Sequence, residues 1–319
     1  MSRLPRSLFL VIPILVLVAL LPAVFRNNYQ QHLLVMIAIN SILALGLNLI
    51  LGFVGDKSLG HASFFGIGAY IGALIAFRTG GDLILSLIGA VAGAAVMSVL
   101  IGYPVLRLRG PYFAIVTLGF SLILQLIASN WISVTGGPMG LPGVPGASLK
   151  LGGIVLFKFK TVFDYWWLTF AVALLFFLIS WSIERTALGR ILTAIRENYN
   201  LSEAAGINPF RYKMVAFVLG AGFAGLAGGI YSQYTGYISP KVFDTLLNVN
   251  LVTMVIVGGE ATTIGPIIGS AIVTLLPELL RFVEGLRMLI FGSILLAVIL
   301  FAPHGVMGLV KSIIRKTRK

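Results

Sequence analysis

Apolar runs of about 20 residues, continuous rather than alternating, recur along this chain, and each is long enough to cross a hydrocarbon core about 30 Å thick. In lipid the backbone must satisfy its own hydrogen bonds, which leaves helices or a closed barrel. A barrel would show roughly ten-residue alternating segments instead. With 58% hydrophobic and only 10% charged residues among 319, the expected fold is an all-α polytopic membrane protein. We expect about 8–10 transmembrane helices, some re-entrant or broken, in one transmembrane domain over residues 1–319. The absence of cysteine removes disulfide and thiolate chemistry, and the three histidines are dispersed, so no metal or other cofactor is expected. A net charge of +13 does not call for nucleic acid, because lysine and arginine in a membrane chain collect on its cytoplasmic side.

In order, the runs are Leu8 to Phe25, Leu33 to Gly52, a third ending near Phe77, Leu83 to Leu106, Tyr112 to Asn130, Phe163 to Trp181 and Met214 to Tyr234. Leu246 to Val257, Ile264 to Leu280 and Leu286 to Val310 complete them. The first follows Arg3 and Arg6 but is long for a signal core and lacks a small-x-small cleavage site, so it reads as a span. Leu246 to Val257 is short for a crossing, which suggests a re-entrant pair reaching to Leu280. Gly68 and Gly72, Gly89 and Gly93, and Ala221, Gly225 and Gly229 are small residues four apart, suited to close helix packing in lipid. Tyr165, Trp166 and Trp167 at one end of a run and Trp181 at the other are expected in the interfacial belts. Placing both termini inside gathers most of the 23 basic residues in the cytoplasm, including the tail 311–319. The same choice puts the glycine-rich loop 131–163 outside, where Lys150, Lys158 and Lys160 suit an acidic partner, and the polar loop 184–213 inside.

That inner loop carries the clearest local pattern. Ile191, Leu192, Ile195 and Tyr199 fall on one helical stripe, so a short amphipathic helix is expected. Gly206 is placed to end it in the left-handed conformation, and Pro209 to prevent its resumption. Two breaks between apolar runs echo one another: Gly55-Asp56-Lys57-Ser58-Leu59-Gly60 and Gly259-Glu260-Ala261-Thr262-Thr263-Ile264-Gly265. Broken helices at corresponding positions point to a transporter's substrate path, because half-helix N-termini direct N–H groups at an anionic group. Ser58 and Thr263 are expected to cap the helices that follow. Asp56, Ser58, His61, Phe64, Phe65, Glu260, Thr263 and Ile267 are therefore the candidate pathway residues. A zwitterionic amino acid would place its carboxylate near the N–H groups and its side chain against Phe64, Phe65 and Ile267.

Other function classes fit less well. The spans hold almost no ionisable residues, which an ion-coupled carrier usually needs. No HExxH pair, GxSxG elbow or paired carboxylates mark an enzyme. Gly52 to Ser58, the nearest approach to a phosphate loop, has Asp56 where glycine must precede lysine, so ATP hydrolysis would have to come from another chain.

Five stretches in order, GLNLILGFVGDKSLGHASFFGIGAY (46–70), RLRGPYFAIVTLGF (107–120), TGGPMGLPG (135–143), the loop ALGRILTAIRENYNLSEAAGINPFRYK and GGEATTIGPIIGS (258–270), resemble the permease subunits of branched-chain amino acid ABC importers. The resemblance runs from about Ile39 to Pro303. It implies the importer permease fold, an inner (plasma) membrane location and a branched-chain amino acid substrate; urea or another small polar solute is the alternative. It also implies a second homologous permease, two cytoplasmic ATP-binding subunits, a periplasmic substrate-binding protein and surrounding lipid as partners. A coupling element would fall in 184–213, with Arg196, Glu197, Glu203, Ala204 and Gly206 facing the ATPases. Importers carry an EAA-x-x-x-G signature there, whereas here Glu203-Ala204-Ala205 runs straight into Gly206.

Overall fold

The computed structural model describes residues 21–22, 27–151 and 154–280, together with 286, 289–290, 292–293, 296 and 305–308. The runs Leu8 to Phe25 and Leu286 to Val310 fall mostly outside the described residues, and the tail 311–319 wholly so.

Six described helices are long and apolar enough to cross a membrane. They are α1 (Asn28–Asn48), continued by a π-helical segment (Leu49–Val54), α2 (Ala62–Thr79), α3 (Leu83–Val105), α4 (Pro111–Asn130), α5 (Val162–Arg185) and, after the loop, α8 (Pro209–Thr235). The polar loop between α5 and α8 forms two short helices, α6 (Ala187–Glu197) and α7 (Tyr199–Ala204). Two shorter apolar helices follow α8, namely α9 (Thr245–Gly258) and α10 (Gly265–Leu279). Helices α1, α2 and α8 are mostly buried within the chain, while α3, α4 and α5 expose most of their apolar surface. The first three form a core and the others an exposed outer sleeve.

Because lipid tails are as apolar as leucine, helices in a bilayer associate through close packing rather than exclusion from water. Glycine supplies the approach on α8. A Cβ on Gly68 of α2 would lie 2.1 Å from the carbonyl oxygen of Gly225, and one on Gly220 would lie 2.6 Å from that of Gly46 in α1. A Cβ on Gly225 would lie 2.5 Å from that of Ala94 in α3. Of the expected stripe of Ala221, Gly225 and Gly229, the glycines meet α2 and α3, while the approach to α1 is made by the neighbouring Gly220. Gly89 and Gly93 of α3 do something different, making hollows that receive the side chains of Ile75 and Ile71.

Contacts divide the loops between two ends of the bundle. At one end the segment 131–163 folds into a helical turn (Ile132–Thr135), β1 (Leu141–Pro142) and a hairpin of β2 (Ser148–Leu151) and β3 (Ile154–Lys158). It is pinned there by the Ser148 bonds to the Gly81 carbonyl and by β1 pairing with β4 (Tyr237–Ile238) after α8. Lys150 donates to the carbonyls of Thr79 and Gly80 at the end of α2, so this lysine secures a helix terminus rather than facing a partner. Two of the expected belt aromatics also turn inward: Tyr165 is buried, accepting from the Ala147 N–H and donating to the Gln233 carbonyl, and Trp166 is buried against Phe170. Trp167 is exposed as expected, and Trp181 lies under the Arg185 guanidinium.

The expected re-entrant pair is instead a broken crossing. From β4 the chain dips inward through a short 3₁₀ turn (Pro240–Phe243) rather than α-helix, and the Phe243 ring stacks on Tyr70 halfway along α2. Helix α9 then carries it to the opposite end. Non-helical backbone at this depth needs internal partners, and Ser121 of α4 donates to the Phe243 carbonyl while the Asn248 amide donates to Ser121. The carbonyl oxygen of the same amide accepts from the N–H of Ala62, where α2 begins. Helix α10 returns beside α1, with Ser270 bonded to Ser41 and Asn40 to Thr274.

Glycine packing predicts the effect of added volume. Gly68→Leu should lower the thermal stability of the detergent-purified subunit by about 1–3 kcal/mol, the usual cost of overpacking. Gly119→Leu in α4, where no atom lies within 4 Å of an added Cβ, should leave it unchanged; equal losses would contradict this packing.

Candidate functional site

The opposite end of the bundle collects both echoed breaks and the polar loop around a cleft of about 380 Å³. Helix α1 approaches it through six π-helical residues, Leu49–Val54, and ends at Gly55, whose φ of 84° puts it in the left-handed region. Helix α9 also ends at a glycine of positive φ, Gly259 at 118°, although its ψ of 103° sets it apart from the left-handed helical conformation of Gly55. The echo seen in the sequence is therefore spatial: Asp56 and Glu260 line one cleft.

Each break is held by side chains from other elements. Asn48, fully buried in α1, donates its amide to the Thr262 carbonyl and accepts from the Ala261 N–H. Ala261 has a φ of 57°, unusual for a residue with a Cβ, and the Asn48 clamp supports it. Glu184, at the end of α5, accepts from both the backbone and the hydroxyl of Thr263. Neither expected cap forms as such. Thr262, one residue earlier, accepts from the Gly265 N–H at the start of α10, while the buried Ser58 hydroxyl has no hydrogen-bond partner. The backbone at the start of α2 is satisfied from other helices, by Thr117 at Leu59 and by Asn248 at Ala62.

The polar loop docks on these breaks. A single helix was expected over it, but Asn198 adopts an extended backbone and caps α7 by accepting from the Leu201 N–H, which splits the segment in two. The apolar stripe holds as read: Leu192 and Ile195 are buried, and Ile191 and Tyr199 half-buried. Gly206 takes the left-handed conformation at φ 82°, and Pro209 opens α8. Arg196 extends from α6 to donate to the Gly52 carbonyl, which the π segment presents, and to the Glu260 carboxylate. Lys213 at the start of α8 donates to Asp56 at 2.7 Å. Arg109, following α3, lies 3.7 Å over the Tyr199 ring. By contrast Glu197, Glu203, Ala204, Gly206 and Leu201 are exposed on the outward face of the loop.

Burial pushes the Asp56 carboxyl above its usual range, against the pull of Lys213 and, further off, Arg109. The desolvation cost is the larger effect, so this pair fixes geometry more than it stabilises. Deeper in the bundle His61 is buried with neither ring nitrogen hydrogen-bonded, edge-on to Phe64, which packs against Phe217 and Phe120. Phe65 lies against Tyr231, and Ile267 is half-buried in α10. The candidate pathway residues therefore form two groups. Asp56, Glu260 and Thr263 tie the loop and breaks together, while Ser58, His61, Phe64 and Phe65 sit behind them in the core. Asn48, Arg109, Glu184, Lys213 and Asn248 were not anticipated. An asparagine inside an apolar run, a feature Asn48 shares with Asn40, was the available signal for it.

Residues 30–302 match the family described as branched-chain amino acid transport system / permease component. The permease protein LivM of Salmonella typhimurium is 32% identical, over 97% of this chain and 77% of that protein; its Escherichia coli counterpart gives the same figures. BraD of Pseudomonas aeruginosa is 26% identical over 88% of this chain and 96% of its own length. No solved structure matches.

The Asp56–Lys213 pair predicts a double-mutant result. Lys213→Met should destabilise the subunit by about 3–5 kcal/mol by stranding a buried carboxylate, and Asp56→Leu with Lys213→Met should recover most of that. Because the Asp56 pKa is already raised, the folded chain holds this proton more tightly than the unfolded one, so stability falls as pH rises through that window. Loss of Lys213 should steepen the fall, measured as melting temperature against pH.

Proposed function

The chain belongs to the branched-chain amino acid transport permease family, and from that premise we propose that it is one of two membrane subunits of an ABC importer for leucine, isoleucine and valine. It works with a homologous permease, two cytoplasmic ATPases and an external binding protein. The observation that carries this reading is the docked loop: α6 and α7 meet the two breaks through Arg196 while turning Glu197, Leu201, Glu203 and Ala204 outward. A push on that outer face reaches Gly52 and Glu260 directly. These residues form the ATPase-coupling surface, and 184–213 lies in the cytoplasm of an inner (plasma) membrane protein with both termini inside. Charge distribution supports the orientation, since Lys57, Arg107, Arg109, Arg185, Arg190, Arg196, Arg211 and Lys213 share that end.

At the other end the segment 131–163 receives the binding protein. Ile154, Leu156 and Phe157 are exposed on its hairpin beside Lys158, an apolar surface with a basic rim suited to a partner. Within the core, Ser58 and His61 line the route, and Phe64 and Phe65 offer apolar contact. Their support is burial without hydrogen-bond partners at the two polar side chains.

The reconstituted complex should take up leucine only with ATP, its ATPases and the binding protein, and this chain alone should transport nothing under an ion gradient. Uptake by the lone chain would overturn the reading. Arg196→Glu, which sets like charges at Glu260, should abolish coupled uptake while assembly and basal ATP hydrolysis persist, and Glu203→Lys or Gly206→Val should act in the same direction. Single cysteines in 154–158 should react with an impermeant external reagent; labelling only from the cytoplasmic side would reverse the topology.

A further inference from the structure

The cleft under the docked loop has a chemistry of its own. Its floor is aliphatic, made by Leu51, Val54 and Ile195. Charges of both signs line its rim, but they do not cancel. Among the described residues only two ion pairs form, Arg196 with Glu260 and Lys213 with Asp56. Lys57 and Arg109, on the same cleft, form no ion pair among the described residues, although Arg109 covers the Tyr199 ring, donates to Asn200 and acts on Asp56 from further off. Glu260 engages Arg196 through Oε1 and Asp56 engages Lys213 through Oδ2, which leaves a second oxygen on each for a ligand cation. An aliphatic floor between a cationic side and open carboxylate oxygens is complementary to a small zwitterion with a branched apolar side chain. At about 380 Å³ the cleft falls within the range of small-molecule sites.

We propose that this cleft is a second, cytoplasmic-side site for the free branched-chain amino acid, through which accumulated product restrains the importer. The proposal rests on the transport reading above. The carboxylate of the amino acid would meet Lys57 and Arg109, its ammonium Glu260 and Asp56, and its side chain Leu51, Val54 and Ile195. One wall belongs to the breaks and the other to the coupling loop, through Arg196 and Tyr199. A ligand bridging them holds the loop docked and so opposes any movement the ATPases must drive through it.

The test uses the assembled importer in nanodiscs, where both faces are accessible, without binding protein. Radiolabelled leucine should bind and slow ATP hydrolysis; glycine, which lacks the side chain, should do neither at equal concentration. Lys57→Gln and Arg109→Gln, each compared with its own rate in the absence of leucine, should weaken binding and inhibition about tenfold, the loss expected for one charge-assisted contact. If leucine binds to neither face of the wild-type complex, or binds the two variants as tightly as wild type, the site does not exist. Uptake in proteoliposomes separates the two ideas. Leucine uptake with no such binding sinks the product site alone; binding lost in both variants, in an importer that carries another solute, sinks the substrate assignment alone.

Discussion

Every interruption of helix inside a bilayer leaves backbone groups that only protein can satisfy, and this constraint organises the molecule. The chain breaks its helices at 55–61, at 236–244 and at 259–264, and each break is answered by a polar side chain from a different element. Asn248 and Ser121 hold the mid-membrane descent, while Thr117 supports the segment before α2. Asn48 and Glu184 hold the turn between α9 and α10. In hydrocarbon an unsatisfied group costs several kcal/mol, so these partners are conditions for the breaks rather than ornaments on them. The glycine contacts of α8 serve the same end by bringing the helices that carry the partners close enough to reach.

What the sequence made legible follows from how far each signal reaches. Spans announce themselves by run length, and the six described long helices fall where the runs lie. The two echoed breaks were visible because glycine and an acid repeat at similar spacing. The amphipathic loop was visible through Leu192 and Ile195, though its division at Asn198 was not, since asparagine both interrupts and caps. Long-range pairing was out of reach: nothing local says that Arg196 meets a carbonyl 144 positions away. The broken crossing was hidden for a related reason. An apolar run of a dozen residues reads alike whether the missing length is a return to the same side or an approach outside α-helix such as 236–244. Thr262 rather than Thr263 takes the capping role because Glu184, remote in sequence, claims the second hydroxyl.

The division into a buried trio and an exposed sleeve also bears on assembly. Helices α3, α4 and α5 present mostly apolar surface outward, yet they also reach the polar end of the bundle: Glu184 ends α5 on Thr263, Thr117 of α4 supports Leu59, and Arg109 after α3 covers the Tyr199 ring. The rest of their surface stays exposed among the described residues and is available to lipid or another chain.

The π-helical segment at the end of α1 adds a mechanical property. A π turn carries an extra residue relative to an α turn, so tightening Leu49–Val54 into α-helix would rotate whatever follows by roughly 100° about the axis. Gly55 and Asp56 would turn away from Arg196 and Lys213, and the Gly52 carbonyl would withdraw into the helix. The winding of α1 and the seating of the polar loop are therefore geared to each other: the loop in its present seat accompanies a helix unwound by one residue, and a helix wound tight would have no such seat to offer.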